Sequence, residues 1–124
     1  MILRHVPIAL AAISLAIPVS AQSDSAGSTQ QALSLEQRTA LRCSAAFAIV
    51  SALQARGGAQ EYPPLAQRGR EYFVRSAAQL IDDTGIDRAG IAALMQREAE
   101  AMSDADRLEA AMPACLLLLD SSGL

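Results

Sequence analysis

Residues 34–58 read SLEQRTALRCSAAFAIVSALQARGG, and this stretch decides the fold. Its first four residues have the Ser-x-x-Gln spacing of a capping box, in which the side chains of Ser34 and Gln37 accept hydrogen bonds from each other's exposed backbone N–H groups. Apolar residues then recur at helical spacing until Gly57 and Gly58, the residue type that favours a helix end. The residues predicted to face the core are Leu35, Cys43, Ala46, Phe47, Val50 and Leu53. The stretch predicts a first helix over residues 35–56.

Two more helices are predicted downstream. Pro63 and Pro64 can open a second helix, because the N–H group that proline lacks would be unpaired in the first turn of any helix. We expect this helix to run to about Asp83 and to stop at Gly85. Its predicted inward residues are Leu65, Gly69, Tyr72, Phe73, Ser76, Ala77 and Leu80. Asp87 then caps a third helix over residues 88–102. The predicted inward residues of that helix are Ile91, Leu94, Met95 and Met102.

A fourth helix is predicted to begin at Ser103 or Asp104 and to end before Gly123. Its predicted inward residues are Leu108, Met112, Cys115, Leu116 and Leu119. Because Pro113 lies inside this pattern, we expect a kink or a break near Met112. No stretch shows the sustained alternation of apolar and polar residues that is typical of strands. The sequence therefore predicts an all-α domain of four helices joined by short connections.

The N-terminal residues have the organisation of a secretion signal. A short region that carries Arg4 precedes an apolar run over residues 6–17, and small residues then lead to Ala21. This order predicts cleavage after Ala21, since the apolar run is shorter than the roughly 20 residues that a membrane-spanning helix needs. The residues that follow are polar, small and aperiodic, which predicts disorder. The predicted organisation is a signal peptide over 1–21, a disordered leader over 22–33 and a helical domain over 34–124, in an exported protein that is periplasmic or secreted.

Charge and composition restrict the partners and the reactions. The chain has a net charge of −3, and loss of Arg4 with the signal makes the remainder more acidic. This argues against nucleic acid or an anionic membrane surface as the partner. His5 is the only His, and the chain has no Lys, Asn or Trp. After cleavage no Ser-His-Asp triad, His-based zinc site or lysine Schiff base can form, so we expect no enzyme, no metal and no cofactor. Abundant Arg without Lys or Asn also suggests a GC-rich bacterial genome.

Cys43 and Cys115 fall on the apolar faces of the first and fourth predicted helices. An even pair of cysteines in an exported chain predicts a disulfide, because the compartment is oxidising. Closing a loop of about 73 residues should stabilise the fold by roughly 4 kcal/mol in the chain-entropy model. The alternative is a redox or nucleophilic thiol, which the distant spacing and the missing His both disfavour.

One helix face carries a candidate anion site. Arg68, Tyr72 and Arg75 recur at i, i+4 and i+7 of the second predicted helix. Two guanidinium groups that flank a phenol could hold a carboxylate or a phosphate. The alternative is a solvated face on which Glu71 pairs with the two arginines, with Tyr72 in the core beside Phe73.

Asp82, Asp83 and Asp87 crowd the next corner, where carboxylate oxygens could attract a hard cation. Their spacing does not match an EF-hand, because placing Gly85 at the loop's glycine position would put apolar residues at ligand positions. An ordinary helix end followed by an N-cap is the preferred interpretation.

A flexible apolar set is made by Met95, Met102 and Met112 together with Leu116–Leu119. Methionine adapts to irregular surfaces, so part of this set could line a groove for peptides or lipids. The alternative is that these residues fill the core, since the chain has only two Phe and two Tyr residues and no Trp.

In layout the chain resembles the small, signal-bearing, single-disulfide helical proteins of alphaproteobacteria. The resemblance rests on the signal, the polar leader, the segment LRCSAAF at 41–47 and the late Pro113-Ala114-Cys115. It carries no catalytic motif and so implies no activity. Small acid-stress chaperones of the periplasm share the size and the single bridge, by analogy alone. Two functions are left open: a chaperone-like binding or interaction protein with a protein or peptide partner, and a small-anion sensor or carrier that uses Arg68 and Arg75.

Overall fold

The structure is a computed structural model that describes Thr29 and residues 32–124. Residues 34–124 contain four helices and no strand, which confirms the predicted all-α fold. The helices are α1 (Leu35–Gln54), α2 (Ala66–Thr84), α3 (Arg88–Met102) and α4 (Ala105–Ser121). The predicted signal peptide, with its cleavage site at Ala21, and most of the predicted leader lie outside the described residues.

Side-chain caps set three of the four helix starts, as the sequence predicts. At α1, Ser34 Oγ accepts from the backbone N–H of Gln37 at 3.1 Å, and Gln37 Oε1 accepts from the backbone N–H of Ser34 at 2.9 Å. These two bonds complete the predicted capping box. The carboxylates of Asp87 and Asp104 cap α3 and α4 by accepting from N–H groups three residues ahead. Of the two predicted starts for α4, the structure therefore selects Asp104.

The connection between α1 and α2 departs from the prediction. α1 ends at Gln54 and not at residue 56, and α2 begins at Ala66 and not at the two prolines. The side chain of Gln54 bonds to the backbone of this connection. Its Nε2 donates to the carbonyl of Pro63 at 2.9 Å, and its Oε1 accepts from the N–H of Leu65 at 3.1 Å. These bonds satisfy the backbone of the connection without a helical turn. α2 ends as predicted before Gly85, whose left-handed φ of +72° suits glycine.

Of the kink or break predicted near Met112, the break is wrong, because α4 continues as one helix through Pro113. Proline there removes the helical hydrogen bond to the carbonyl of Glu109. Both residues lie on the exposed side of α4, where water can hydrate that carbonyl, while Met112 and Cys115 lie on the buried side. Burying one large apolar side chain stabilises by about 1.5–3 kcal/mol, which offsets half or more of the roughly 3 kcal/mol cost of an internal proline.

α1 is the central helix, and the other three helices pack against it. The core around it includes Phe47, Val50, Met112 and Leu119, all 0% exposed. α2 approaches α1 closely at Gly69, where an added Cβ atom would lie only 2.9 Å from the Cβ of Phe47. Real Cβ atoms do not approach this closely, so glycine at this position allows the contact between the two helices.

A second apolar cluster joins α1 to α3 and to the end of α2. It consists of Leu33, Leu41, Leu80, Ile91 and Leu94. Leu41 lies outside the predicted inward set, whereas Leu35, predicted to face inward, is 74% exposed. The predicted stripe follows the side of α1 that carries Cys43 and Phe47, but α3 covers another side, on which Leu41 lies. Leu33 is 6% exposed, so packing begins one residue before the predicted start of the domain.

Candidate binding groove

A groove of about 450 Å³ opens on the surface between α1 and α2. α1 contributes Ser44, Phe47, Ala48, Ser51, Ala52 and Ala55 to its lining. The residues from the start of α2 are Leu65, Ala66, Gly69, Arg70 and Phe73, and α3 adds Met95. Phe47, Leu65 and Gly69 are buried, whereas Ala48 and Ala52 are exposed. The groove is therefore an open apolar trough and not an enclosed cavity.

One face of α1 carries a line of apolar residues at i, i+4, i+7, i+11 and i+14, the last of them the C-cap residue, and we call this line the ridge. It consists of Leu41, Ala45, Ala48, Ala52 and Ala55. The first half of the ridge is covered: Leu41 and Ala45 are 2% and 1% exposed, and Leu41 packs in a cluster with Leu94 of α3. The second half, from Ala48 onward, is exposed and forms one wall of the groove.

Among the described residues, Arg70 is the only charged one that lines the groove. Within residues 32–124 its guanidinium group has no hydrogen bond or ion pair, whereas Arg68 and Arg75 on the same helix both have partners. The adjoining N-terminus of α2 adds to the positive charge, since Leu65 provides no side-chain cap and the first turn has no acidic residue. Unpaired N–H groups at a helix start carry about half a unit of positive charge. This end of the groove is electropositive in an acidic chain.

Arg68 and Arg75, two of the predicted anion-binding residues, hold oxygens of this chain. Arg68 Nη2 lies 2.8 Å from Oδ1 of Asp120, and its Nε donates to the main-chain oxygen of Leu124 at 2.9 Å. Arg75 Nη1 donates to the carbonyl of Ser122 at 2.8 Å. The two side chains thus fasten the segment that follows α4 onto α2. The anion site stays a prediction, and an external anion would have to displace these oxygens.

Tyr72, the third predicted anion-binding residue, packs into the core. Its side chain is 9% exposed, and its ring meets that of Phe47 edge to face, with centroids 5.4 Å apart. Burial raises the pKa of the phenol, and a hydrogen bond with Ser76 opposes that shift. The structure therefore does not bring the phenol together with the two guanidinium groups around one external ligand.

No family model, curated protein or solved structure matches this chain. A function can therefore be inferred only from the groove and from the chemistry of the residues around it. In the part of the chain that the structure describes, no helix is long and apolar enough to cross a membrane.

The two cysteines form the predicted disulfide. The Cα atoms of Cys43 and Cys115 lie 5.1 Å apart, and the residues are 1% and 2% exposed. The bridge ties α1 to α4 inside the core. Both cysteines of the chain are used in it, which leaves no free thiol for a redox or nucleophilic role. A buried disulfide fits an oxidising compartment.

The acidic corner between α2 and α3 is a helix end followed by an N-cap, which is the interpretation that the sequence favours. Asp82 and Asp83 are exposed at the end of α2, and Asp87 Oδ1 accepts from the N–H of Gly90 at 2.8 Å as the cap of α3. Among the described residues, no group of three or more His, Cys, Asp or Glu could hold a metal ion.

The methionine and leucine set divides between core and surface. Met102 and Met112 are 5% and 0% exposed and belong to the core, while Met95 lines the groove. Leu117 and Leu118 are exposed on α4 and do not line the groove. The apolar groove thus lies mainly on α1 and α2, on alanines that the sequence does not single out.

Glu98 is a buried charge that the predicted sites do not include. It is 2% exposed, and its Oε2 lies 3.4 Å from Nε of Arg42 on α1. Its place in the sequence indicates that it is buried, because Glu98 continues the spacing of Ile91, Leu94 and Met102 on the inward side of α3. The pair joins α3 to α1 near the covered half of the ridge.

Proposed function

We propose that this chain is an exported binding module, and not an enzyme, that takes an apolar helix of a polypeptide partner in the groove. The uncovered half of the ridge is the observation that carries the proposal. Leu41 packs in a cluster with Leu94 of α3, whereas Ala48, Ala52 and Ala55 are apolar and exposed. A partner helix bound on the open half would lie along the same face of α1 against which α3 already packs.

The open shape of the groove favours a helix over a small molecule. Small-molecule pockets bury about 70–90% of the ligand, whereas a helix in a groove needs to bury only its apolar face. From Ser44 to Ala55 the wall is about 16 Å long at 1.5 Å per residue, which matches about three helical turns. Alanine keeps the surface close to the backbone of α1, so a partner helix can approach to the usual interaxial distance of about 8–10 Å.

Within this proposal the protein works outside the bacterial cytoplasm, in the periplasm or the medium. The predicted signal over residues 1–21 supplies the route, and the Cys43–Cys115 disulfide is the bond that an oxidising compartment maintains. The resemblance to exported alphaproteobacterial helical proteins points the same way. A groove that contacts a partner through apolar side chains can accept several sequences, which is the behaviour of a chaperone-like module.

The small-anion sensor is the weaker hypothesis. Its two arginines, Arg68 and Arg75, are engaged with oxygens of the C-terminal segment, and Tyr72 is packed in the core. The groove requires no such displacement before a partner can bind.

The experiment is an NMR titration of the isotope-labelled protein with a helical peptide of about 12 residues, made of Leu and Ala on one face and Gln on the other. We expect the largest shift changes at Ala48, Ala52 and Gly69. Replacing Ala52 with Gln should abolish them, because a long polar side chain then fills the groove. The matched control is Ala78→Gln, an exposed alanine of α2 outside the groove, which should bind as the wild type does.

Other results would overturn the proposal. Absence of shifts, or shifts centred on the exposed Leu117 of α4, would remove the groove as the binding site. A stable dimer that Ala52→Gln dissociates would assign the groove to a second copy of the chain. Shifts at Ala48 and Gly69 with dodecanoate but not with the peptide would assign it to an acyl chain.

A further inference from the structure

We infer that the partner helix carries an acidic residue, Asp or Glu, which lies opposite Arg70 on the α2 side of the groove. This inference rests on the proposed function and names the chemistry by which the groove selects among apolar helices.

Three arginines of α2 differ in their partners. Arg68 and Arg75 are held by Asp120, Ser122 and Leu124, at 2.8–2.9 Å. Arg70 lies between them in sequence, is exposed at the groove and has no such partner within residues 32–124. Within residues 32–124, the fold thus provides hydrogen-bond partners for Arg68 and Arg75, which face the C-terminal segment. It provides none for Arg70, which faces the groove.

Within residues 32–124, no acidic residue lines the groove beside Arg70. The start of α2 has neither a side-chain cap at Leu65 nor an Asp or Glu in its first turn, so its partial positive charge adds to that of the guanidinium group. A carboxylate placed there gains from both charges, whereas an ammonium group is repelled by both. Because this electropositive end belongs to a chain of net charge −3, it is a local feature and not a property of the whole surface.

The test uses three peptides of about 12 residues that share one apolar face and differ at a single position at its edge, which is Glu, Gln or Lys. Affinities are measured by fluorescence anisotropy. We expect the Glu peptide to bind about two- to fivefold more tightly than the Gln peptide, and the Lys peptide to bind more weakly by a similar factor. The preference should shrink in about 1 M NaCl, where charges are screened within about 3 Å.

Variants then assign the preference to one residue. Arg70→Gln should make the three affinities equal, and Arg70→Glu should reverse their order. Arg88→Gln removes the same charge from an exposed position at the start of α3, outside the groove, and should leave the order unchanged.

The outcomes separate this inference from the proposed function. If all three peptides bind equally well and Ala52→Gln abolishes binding, the groove is a binding site and the acidic preference is wrong. An order that persists in Arg70→Gln would also overturn the inference, because the selecting charge then lies elsewhere. If none of the peptides binds, both the inference and the proposed function fail.

Discussion

Both halves of the ridge on α1 carry alanine, and they differ in whether those alanines are covered. Leu41 and Ala45 are almost fully buried, and Leu41 packs in one cluster with Ile91 and Leu94 of α3. Ala48 and Ala52 continue the same line of the helix and are exposed. One half is therefore part of the core, and the other half is part of the surface.

The difference shows that composition alone does not decide which apolar residues form the core. Alanine buries little area, so an exposed line of alanines costs less than an exposed line of leucines would. Such a line can be left open in a stable fold and still offer a partner helix a close approach. Variants at the disulfide, at each half of the ridge and at a remote surface contact test this difference.

The largest effect is expected from removing the bridge that holds the buried side of α1 to α4. The double variant Cys43→Ala with Cys115→Ala should lose about 4 kcal/mol of unfolding free energy, because the unfolded chain is no longer cross-linked. Urea unfolding followed by circular dichroism measures the loss. Reduced wild-type protein should show a similar loss, and a double variant as stable as the oxidised protein would contradict the assignment.

The second prediction compares the two halves directly. Ala45→Leu should destabilise the fold by about 1–3 kcal/mol, since the larger side chain has no room in a packed contact. Ala52→Leu should change the stability by less than about 0.5 kcal/mol, because its side chain points into the open groove. The same urea measurement serves for both variants. Equal losses would show that the second half of the ridge is covered in solution.

The smallest loss of stability is expected from removing a surface contact remote from the ridge. Arg68→Ala removes the ion pair with Asp120. The side chain of Arg68 is 34% exposed and that of Asp120 is 67% exposed. Exposed ion pairs contribute about 0–1 kcal/mol, so we expect a loss in that range, comparable with that of Ala52→Leu. Arg88→Ala is the control for loss of one positive charge. A loss above about 2 kcal/mol would mean that the C-terminal segment is a structural part of the fold.

Features set by local chemistry could be predicted from the sequence. The capping box at Ser34 and the aspartate caps at Asp87 and Asp104 depend on residues within one turn, and all three are confirmed. The start of α2 could not be predicted in the same way. It depends on Gln54, whose Oε1 accepts from the N–H of Leu65 across the connection. The two prolines by themselves do not indicate that contact.

The candidate site was harder to predict than the fold. Ala48, Ala52 and Arg70 belong to the groove only because α3 covers one half of the ridge and leaves the other half open, which is a property of tertiary packing. The partners of Arg68 and Arg75 lie 47–56 residues away in sequence, so helical spacing shows a cationic face but not the oxygens that occupy it. A line of small residues at heptad spacing on α1 is the one signal that points to the groove.

The bridge between Cys43 and Cys115 makes a covalent ring of the chain between them, including all of α2 and α3. A single cut by a protease inside that ring, for example in the connection around Gly57, opens a peptide bond without releasing a fragment. The nicked protein runs as one piece on a non-reducing gel and separates into two only when a reductant is added. The molecule therefore stays whole after the loss of any one peptide bond within this span.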